Sequence, residues 1–231
     1  MSRTLIIDNG SFSIKAGYEN DEICREFPNY VMKTKHTKMV YVSDLVNETN
    51  DISGLYFRSP FDKGYLVNWD TQTAIWDRLF YKSALNCSPI DTKLILTEPT
   101  FNLPEIKENM QQIVFEEYGF ESLFCIPAAD IVVKSNLLDI FEGKRLEKPD
   151  CMIVVDIGQY FTYVTPYLLG YPIKEAIKRV DVGGLVLSNV LKTLVSYRSW
   201  DMMEETLIVN DLKEKICYVS QDFKAEMQNS K

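Results

Sequence analysis

An apolar strand that stops in Asp-x-Gly sets a carboxylate beside a row of turn amides. This chain of 231 residues does so twice: Leu5-Ile6-Ile7 runs into Asp8-Asn9-Gly10-Ser11, and 148 positions later Ile153-Val154-Val155 runs into Asp156-Ile157-Gly158-Gln159. The glycine lets the backbone turn sharply and approach a ligand closely. Successive turn amides form a concavity that favours anions. Magnesium keeps most of its waters and is held by one or two acids plus phosphate oxygens. Two such loops facing each other would therefore clamp one Mg-nucleotide. In the first loop, the Ser11 hydroxyl could donate to a terminal phosphate, and Lys15 could reach the β- or γ-phosphate as a point charge. Each feature also has an ordinary reading, since Asp-Gly is a hairpin turn, Ser is common in turns and Lys is common on surface strands. The repetition is what favours the phosphate reading.

Other chemistries lack their residues. The one histidine, His36, lies in a polar stretch, so there is no Ser-His-Asp or Cys-His set and no H-E-x-x-H. Neither G-x-x-x-x-G-K-[ST] nor G-x-G-x-x-G occurs. With 25 Lys plus Arg against 33 Asp plus Glu, the net charge is −8, and no basic stripe appears, which disfavours direct nucleic-acid binding. The five cysteines, Cys24, Cys87, Cys125, Cys151 and Cys217, form no C-x-x-C pair and are expected to be reduced and buried, as in an intracellular protein. Met1-Ser2-Arg3-Thr4 runs straight into a strand, and no apolar stretch suits a membrane helix, so neither a signal segment nor a membrane span is expected.

The elements that must position the loops follow from periodicity. Thr4 to Ile7 and Ile14 to Tyr18 are expected to pair as a hairpin around the first loop. Phe27 to Gly54 is polar and mixed, with a Lys/His cluster from Lys33 to Lys38 that reads as a solvated face. Asn68 or Asp70 caps a helix whose apolar face is Ile75, Trp76, Leu79 and Phe80. Lys93 to Leu96 is a strand ending in Thr97-Glu98-Pro99. Pro104 then opens a helix with Ile106, Met110, Ile113 and Val114 on one face and Gly119 as its terminal cap. After the second loop, Phe161 to Pro166 and Tyr171 to Ile177 read as strands around Leu169-Gly170. Gly183-Gly184 opens a helix with Val186, Val190, Leu191, Leu194 and Val195 on one face. A last helix is expected from about Glu205 toward Met227, with Ile208, Leu212, Ile216, Val219 and Phe223 aligned. The charged segment Glu142 to Asp150 suits a boundary between two pseudo-repeated α/β lobes.

The same residues resemble actin. Asp8-Asn9-Gly10-Ser11 with Lys15-Ala16-Gly17, Phe27-Pro28, Gly64-Tyr65-Leu66-Val67-Asn68-Trp69-Asp70, Leu96-Thr97-Glu98-Pro99 and Lys213-Glu214-Lys215-Ile216-Cys217-Tyr218-Val219 occur in actin's order and near its spacing. The likeness spans essentially the whole chain. Pro60-Phe61-Asp62-Lys63, Phe115-Glu116-Glu117-Tyr118, Val182-Gly183-Gly184, Ser196-Tyr197-Arg198 and Ser220-Gln221-Asp222-Phe223 resemble a nuclear actin-related class within the family. The resemblance implies an α/β, actin-like ATPase fold of the ribonuclease H-like kind, with two pseudo-repeated lobes. Residues 1–148 would form the first lobe, with a small mobile subdomain at about 30–65. Residues 149–231 would begin the second, and the C-terminal part of the fold would be absent from the chain. It implies ATP or ADP with Mg held by Asp8, Gly10, Ser11, Lys15, Asp156 and Gly158, and Gly184, Lys213 and Glu214 near the nucleoside. For the class it implies a nuclear, also cytoplasmic, subunit of an SWR-type remodelling complex. That complex exchanges a standard histone for its Z-type variant, and the subunit works beside a small zinc-finger subunit and meets histones indirectly.

Departures from actin lead to an expectation of negligible hydrolysis. Ala128 stands where actin has a water-orienting Gln, and a methyl group can neither position nor polarise water. Gln159-Tyr160 replaces Asp-Gly in the second loop, Phe12 replaces a Gly in the first, and Asn210 replaces an Arg near the base. Two alternatives remain, a filament-forming cytoskeletal actin-like ATPase and a sugar- or acetate-type kinase of the same superfamily. The altered 30–57 segment argues against the first. The lack of an insertion able to build an acceptor pocket argues against the second.

Overall fold

The computed structural model describes residues 3–34, 39–48, 55–135, 149–198 and 200–229. By compactness the chain falls into two units, Met1–Leu185 and Val186–Lys231.

The first unit is organised around two sheets that each begin with an Asp-x-Gly hairpin. Strand β1 (Arg3–Asn9) alternates: Leu5 and Ile7 are 0% exposed while Ile6 faces outward, the period of a half-buried strand. It pairs antiparallel with β2 (Ser13–Tyr18), and β2 pairs with β3 (Arg25–Pro28). On the other edge β1 meets β9 (Thr92–Glu98) in parallel, with Ile7 opposite Leu96, and β10 (Ser122–Pro127) follows β9, also in parallel. Parallel neighbours need a crossover, which places helices over the sheet. Helix α1 (Trp69–Phe80) is capped by Asn68, whose side chain accepts the Thr71 N–H at 2.9 Å, and buries Ile75, Trp76, Leu79 and Phe80 in one core with Leu5, Ile7, Leu94 and Leu96. Helix α2 (Pro104–Gln112) carries Pro at its first turn, buries Ile106 and Met110, and widens into a π-turn over Ile113–Glu117 before Gly119 ends it at φ +71°. Helix α3 (Ala128–Lys134) follows β10 directly.

The polar excursion contains its own small sheet, ordered β5-β4-β6, from β4 (Val31–Thr34), β5 (Val40–Val42) and β6 (Leu55–Arg58), with a 3-10 turn at Ser43–Glu48. His36 and the rest of the Lys/His cluster after Thr34 lie outside the described residues, as do residues 142–148 of the expected lobe boundary. A tight hairpin of β7 (Phe61–Asp62) and β8 (Tyr65–Leu66) turns through Lys63 and Gly64 at φ +47° and +80°. Positive φ at both central residues is the turn that matches strand twist.

The second sheet begins with β11 (Cys151–Ile157), antiparallel to β12 (Thr162–Leu168). β12 also pairs with β13 (Tyr171–Pro172) and β14 (Lys178–Val180). The strand expected to run from Tyr171 to Ile177 stops at Pro172, because proline has no N–H for the ladder. Ile173 instead donates to Pro166 O at 2.9 Å, and Lys174–Ala176 forms a 3-10 turn.

Helix α4 (Gly184–Arg198) starts at the expected glycine pair, but the side it turns inward in the second unit is not its apolar face. Ser188 and Lys192 are buried, while Val190 and Leu194 are exposed. The buried polar groups have partners: Ser188 Oγ donates to Asn210 Oδ1 at 3.0 Å and Lys192 Nζ to Thr206 Oγ1 at 2.6 Å. The single last helix expected from Glu205 to Met227 is two. Helix α5 (Thr206–Ile216) closes with Cys217 in an extended conformation, and α6 (Phe223–Asn229) starts afresh after Asp222, whose Oδ1 accepts the Ala225 N–H at 3.1 Å. An Asp side-chain oxygen accepts the amides that a helix leaves open at its start, so it favours beginning a helix over sitting inside one. The cysteines are free, as expected, but not buried: Cys24, Cys151 and Cys217 are exposed, and Cys87 and Cys125 are partly covered.

Candidate functional site

Asp8 sits near the end of β1, directly opposite Lys15 on β2. The parallel neighbour β9 brings Thr97 alongside. Its hydroxyl donates to Asp8 Oδ1 at 2.6 Å while its oxygen accepts the Asn9 N–H at 3.0 Å. One side chain therefore fixes both the carboxylate and the start of the turn. The turn is braced from below by amides. Asn29 Nδ2 donates to Gly10 O at 2.8 Å and to Asn9 Oδ1 at 3.3 Å, and Gln72 Nε2 donates to Asn29 Oδ1 at 3.2 Å. Asn29 and Gln72 are fully buried, and such polar groups hold their positions firmly when their bonds are satisfied. Sequence reading missed this bracing. Its one signal was Gln72 on the face of α1 that otherwise carries Ile75, Trp76 and Leu79.

The second loop repeats the geometry. Asp156 lies opposite Tyr163, and Gly158 donates its N–H to Phe161 O at 2.9 Å, three residues on. A Cβ on Gly10 would lie 2.6 Å from Ser13 O, and one on Gly158 would lie 3.3 Å from Phe161 O, the same contact in both loops. The start of α4 fastens the second loop: Gly184 N–H donates to Gly158 O at 3.0 Å and Leu185 N–H to Gln159 O at 2.8 Å. A Cβ on Gly183 would strike both carbonyl oxygens at 2.6 Å, so only glycine lets that backbone close on the loop.

Asp8, Lys15 and Asp156 are brought together. The protein around the Asp156 carboxyl, and secondly the charge of Asp8, raise its affinity for a proton above the ordinary carboxylate value, while Lys15 opposes the shift. The Lys15 ammonium is 3.3 Å from Ser13 Oγ and 3.9 Å from Glu26 Oε1. Asp8, Lys15 and Thr97 line a cavity of about 430 Å³, and Ala128, at the head of α3, contributes a methyl group to the same wall with Ile131 and Val132. Ser11 is half-buried at the crest of the first turn. Two mutually repelling carboxylates, with a lysine whose charge opposes that repulsion, are donors whose chemistry fits a hydrated divalent cation and its anionic ligand.

Lys213 and Glu214 belong to the second unit, where α5 ties them to Asn210. Lys213 Nζ donates to Asn210 Oδ1 at 2.7 Å and to Ser188 Oγ at 3.0 Å, and Asn210 Nδ2 donates to Glu214 Oε1 at 2.6 Å. Asn210 is thus the centre of a local polar network.

Comparison with known proteins gives one consistent picture. The actin family profile matches residues 1–231. The chain is 44% identical over 229 residues to Actin-like protein ARP6 of Cryptococcus neoformans, covering 98% of this chain and 46% of that protein. It is 37% identical to Actin-related protein 6 of Drosophila melanogaster, over 97% of this chain and 56% of the relative, and 40% identical to that of Neurospora crassa, over 98% and 53%. The chain spans about half the length of these curated relatives. With the colinear motifs, the paired Asp-x-Gly hairpins and a family match from the first residue to the last, the chain belongs to the actin family.

Proposed function

We propose that this chain acts as a non-filament scaffold subunit of a chromatin-remodelling complex that exchanges a histone variant, and that it holds a Mg-nucleotide with little or no hydrolysis. The non-hydrolytic part of the reading rests chiefly on Ala128. The wall of the cavity lined by Asp8, Lys15 and Thr97 carries a methyl group where actin carries the amide that orients the attacking water. A bound Mg-nucleotide would supply phosphate charge for the two loops to close around. Toward it, Asp8 and Asp156 would hold the hydrated metal, Lys15 and the Ser11 hydroxyl would meet phosphate oxygens, and the amides beyond Gly10 and Gly158 would face the anion. Gly184, Lys213 and Glu214 are assigned to the nucleoside side.

The partners proposed are the other subunits of an SWR-type complex, including a small zinc-finger subunit, with histones met indirectly and the protein working in the nucleus and also present in the cytoplasm. The net charge of −8 suits the company of basic histones. The relatives named Actin-related protein 6 support this class over filament actin.

Two measurements test the proposal. Phosphate release with Mg-ATP is expected to stay at background, and turnover comparable to filament-forming actin would refute the non-hydrolytic part. Tagged chain drawn from nuclear extract is expected to bring a stoichiometric multi-subunit complex containing a zinc-finger protein. A polymer pellet on sedimentation with Mg-ATP would instead establish a filament.

A further inference from the structure

The two residues that follow the second Asp-x-Gly turn leave their own sheet. Tyr160 packs its ring against the core of the first sheet and donates its hydroxyl to Phe61 O at 3.2 Å. Phe161 packs on the β7–β8 turn: a Cβ on Gly64 would be 2.3 Å from its ring edge, and the Tyr65 ring stands 6.0 Å away. Arg179, opposite Tyr163 on β14, completes the contact. Its guanidinium sits 4.5 Å over the Phe161 ring, donates to Tyr65 Oη at 2.9 Å and is anchored by Asp181 at 3.0 Å. Phe61, Gly64 and Tyr65 on one side thus meet Tyr160, Phe161 and Arg179 on the other through two hydrogen bonds and a ring seated on a bare Cα, and the cation stacked on Phe161 ties the second side together.

We propose that Tyr160, Phe161 and Arg179 form a ligand-independent clasp, which holds the second Asp-x-Gly loop against the β7–β8 hairpin so that the loop keeps one conformation with or without nucleotide. Gly158 is only two residues from Tyr160, so pinning the ring pins the turn. A glycine at position 160 would leave the turn to be ordered by whatever ligand it bound, at an entropic cost charged to binding. The tyrosine meets that cost in advance with contacts inside the protein. The clasp rests on the reading of the chain as a nucleotide-holding scaffold, and it assigns Tyr160 a role there: a partner would meet the same surface whatever the nucleotide state.

Hydrogen–deuterium exchange of the nucleotide-free chain tests the clasp, followed in peptides spanning residues 59–67 and 157–163. Both segments are expected to exchange slowly in the unaltered protein, and Mg-ATP is expected to change neither by more than about twofold. Tyr160→Gly and Arg179→Ala are each expected to speed both segments together by about tenfold, the effect of losing a hydrogen bond with its packed partner. Peptides from β1 and β9 are expected to keep their rates. Loosening of one segment without the other, or a tenfold slowing of the unaltered protein on adding Mg-ATP, would overturn the clasp. If the glycine variant also loosens β1 and β9, the milder Tyr160→Phe decides: about threefold faster exchange in both segments supports the clasp, and unchanged rates in both refute it. Equilibrium dialysis against Mg-ATP reads nucleotide binding separately, so a chain that binds none would remove the scaffold reading's nucleotide and leave the exchange result intact.

Discussion

The hairpins β1–β2 and β11–β12 share a pattern and differ in fate. Leu5 and Ile7 are 0% exposed, whereas Ile153 and Val155, their counterparts 148 positions later, are 68% and 54% exposed. In both turns the glycine faces the carbonyl oxygen of the residue three positions on, so the difference in burial lies in the neighbours. β1 is flanked on its second edge by β9 and shares a core with α1, while among the described residues β11 pairs only with β12. The rows running across the two sheets differ in the same way. Asp8, Lys15 and Glu26 lie side by side in one, and Asp156, Tyr163 and Arg179 in the other. One repeat keeps a cation beside its acid, and the other moves the cation one strand away, where it stacks on Phe161. A similar strand-turn-strand code thus yields a buried hairpin in one place and a latched, partly uncovered one in the other.

Paired substitutions can break this comparison. The largest contrast is expected between Leu5→Asp and Ile153→Asp under urea denaturation. An unpaired carboxylate in the core should cost about 4 kcal/mol or more and abolish the folded state, while the same change on the exposed strand should stay within about 0.5 kcal/mol. Equal losses would show that Ile153 is as buried in solution as Leu5. A smaller contrast separates Gly10→Ala from Gly158→Ala. The first forces a methyl to within 2.6 Å of a carbonyl oxygen and the second to 3.3 Å, so the costs should be about 2 kcal/mol and about 0.5 kcal/mol. The smallest effect concerns charge. Because Asp156 binds its proton more tightly than an ordinary carboxylate, the stabilisation it gives is present at low pH and is lost as pH rises through its raised pKa. Asp156→Asn should therefore raise the melting temperature of the ligand-free chain at neutral pH by a few degrees. That gain should fade as pH falls to about 4. A gain that persists in acid would mean that burial and the charge of Asp8 do not raise the proton affinity of Asp156.

Much of the frame was legible before any coordinates. The two Asp-x-Gly turns, the Asn68 cap, the Pro104 start and the Gly119 stop each depend on a few adjacent residues whose backbone preferences are local. The errors arose where a local signal was outweighed or overlooked. Periodicity alone joined α5 and α6 across Asp222, although that residue's side chain favours a new helix start. Periodicity also assigned α4 an inward apolar face, whereas Ser188 and Lys192 turned inward because Asn210 and Thr206 offered them partners. The candidate site divides the same way: Asp8, Lys15 and Asp156 announced themselves by type and spacing, while Thr97, Asn29 and Gln72 did not.

The sequence by itself determined the repeated hairpins, the acids at their tips and the family, because these are matters of residue type and short-range spacing. Only the tertiary structure decided which hairpin is buried, that Thr97 holds Asp8, and that Tyr160, Phe161 and Arg179 fasten the second loop to a turn about a hundred residues earlier in the chain. Burial and long-range hydrogen bonds depend on which segments become neighbours, and the register of a parallel crossover or the seat of a ring on Gly64 is written in no single stretch of chain.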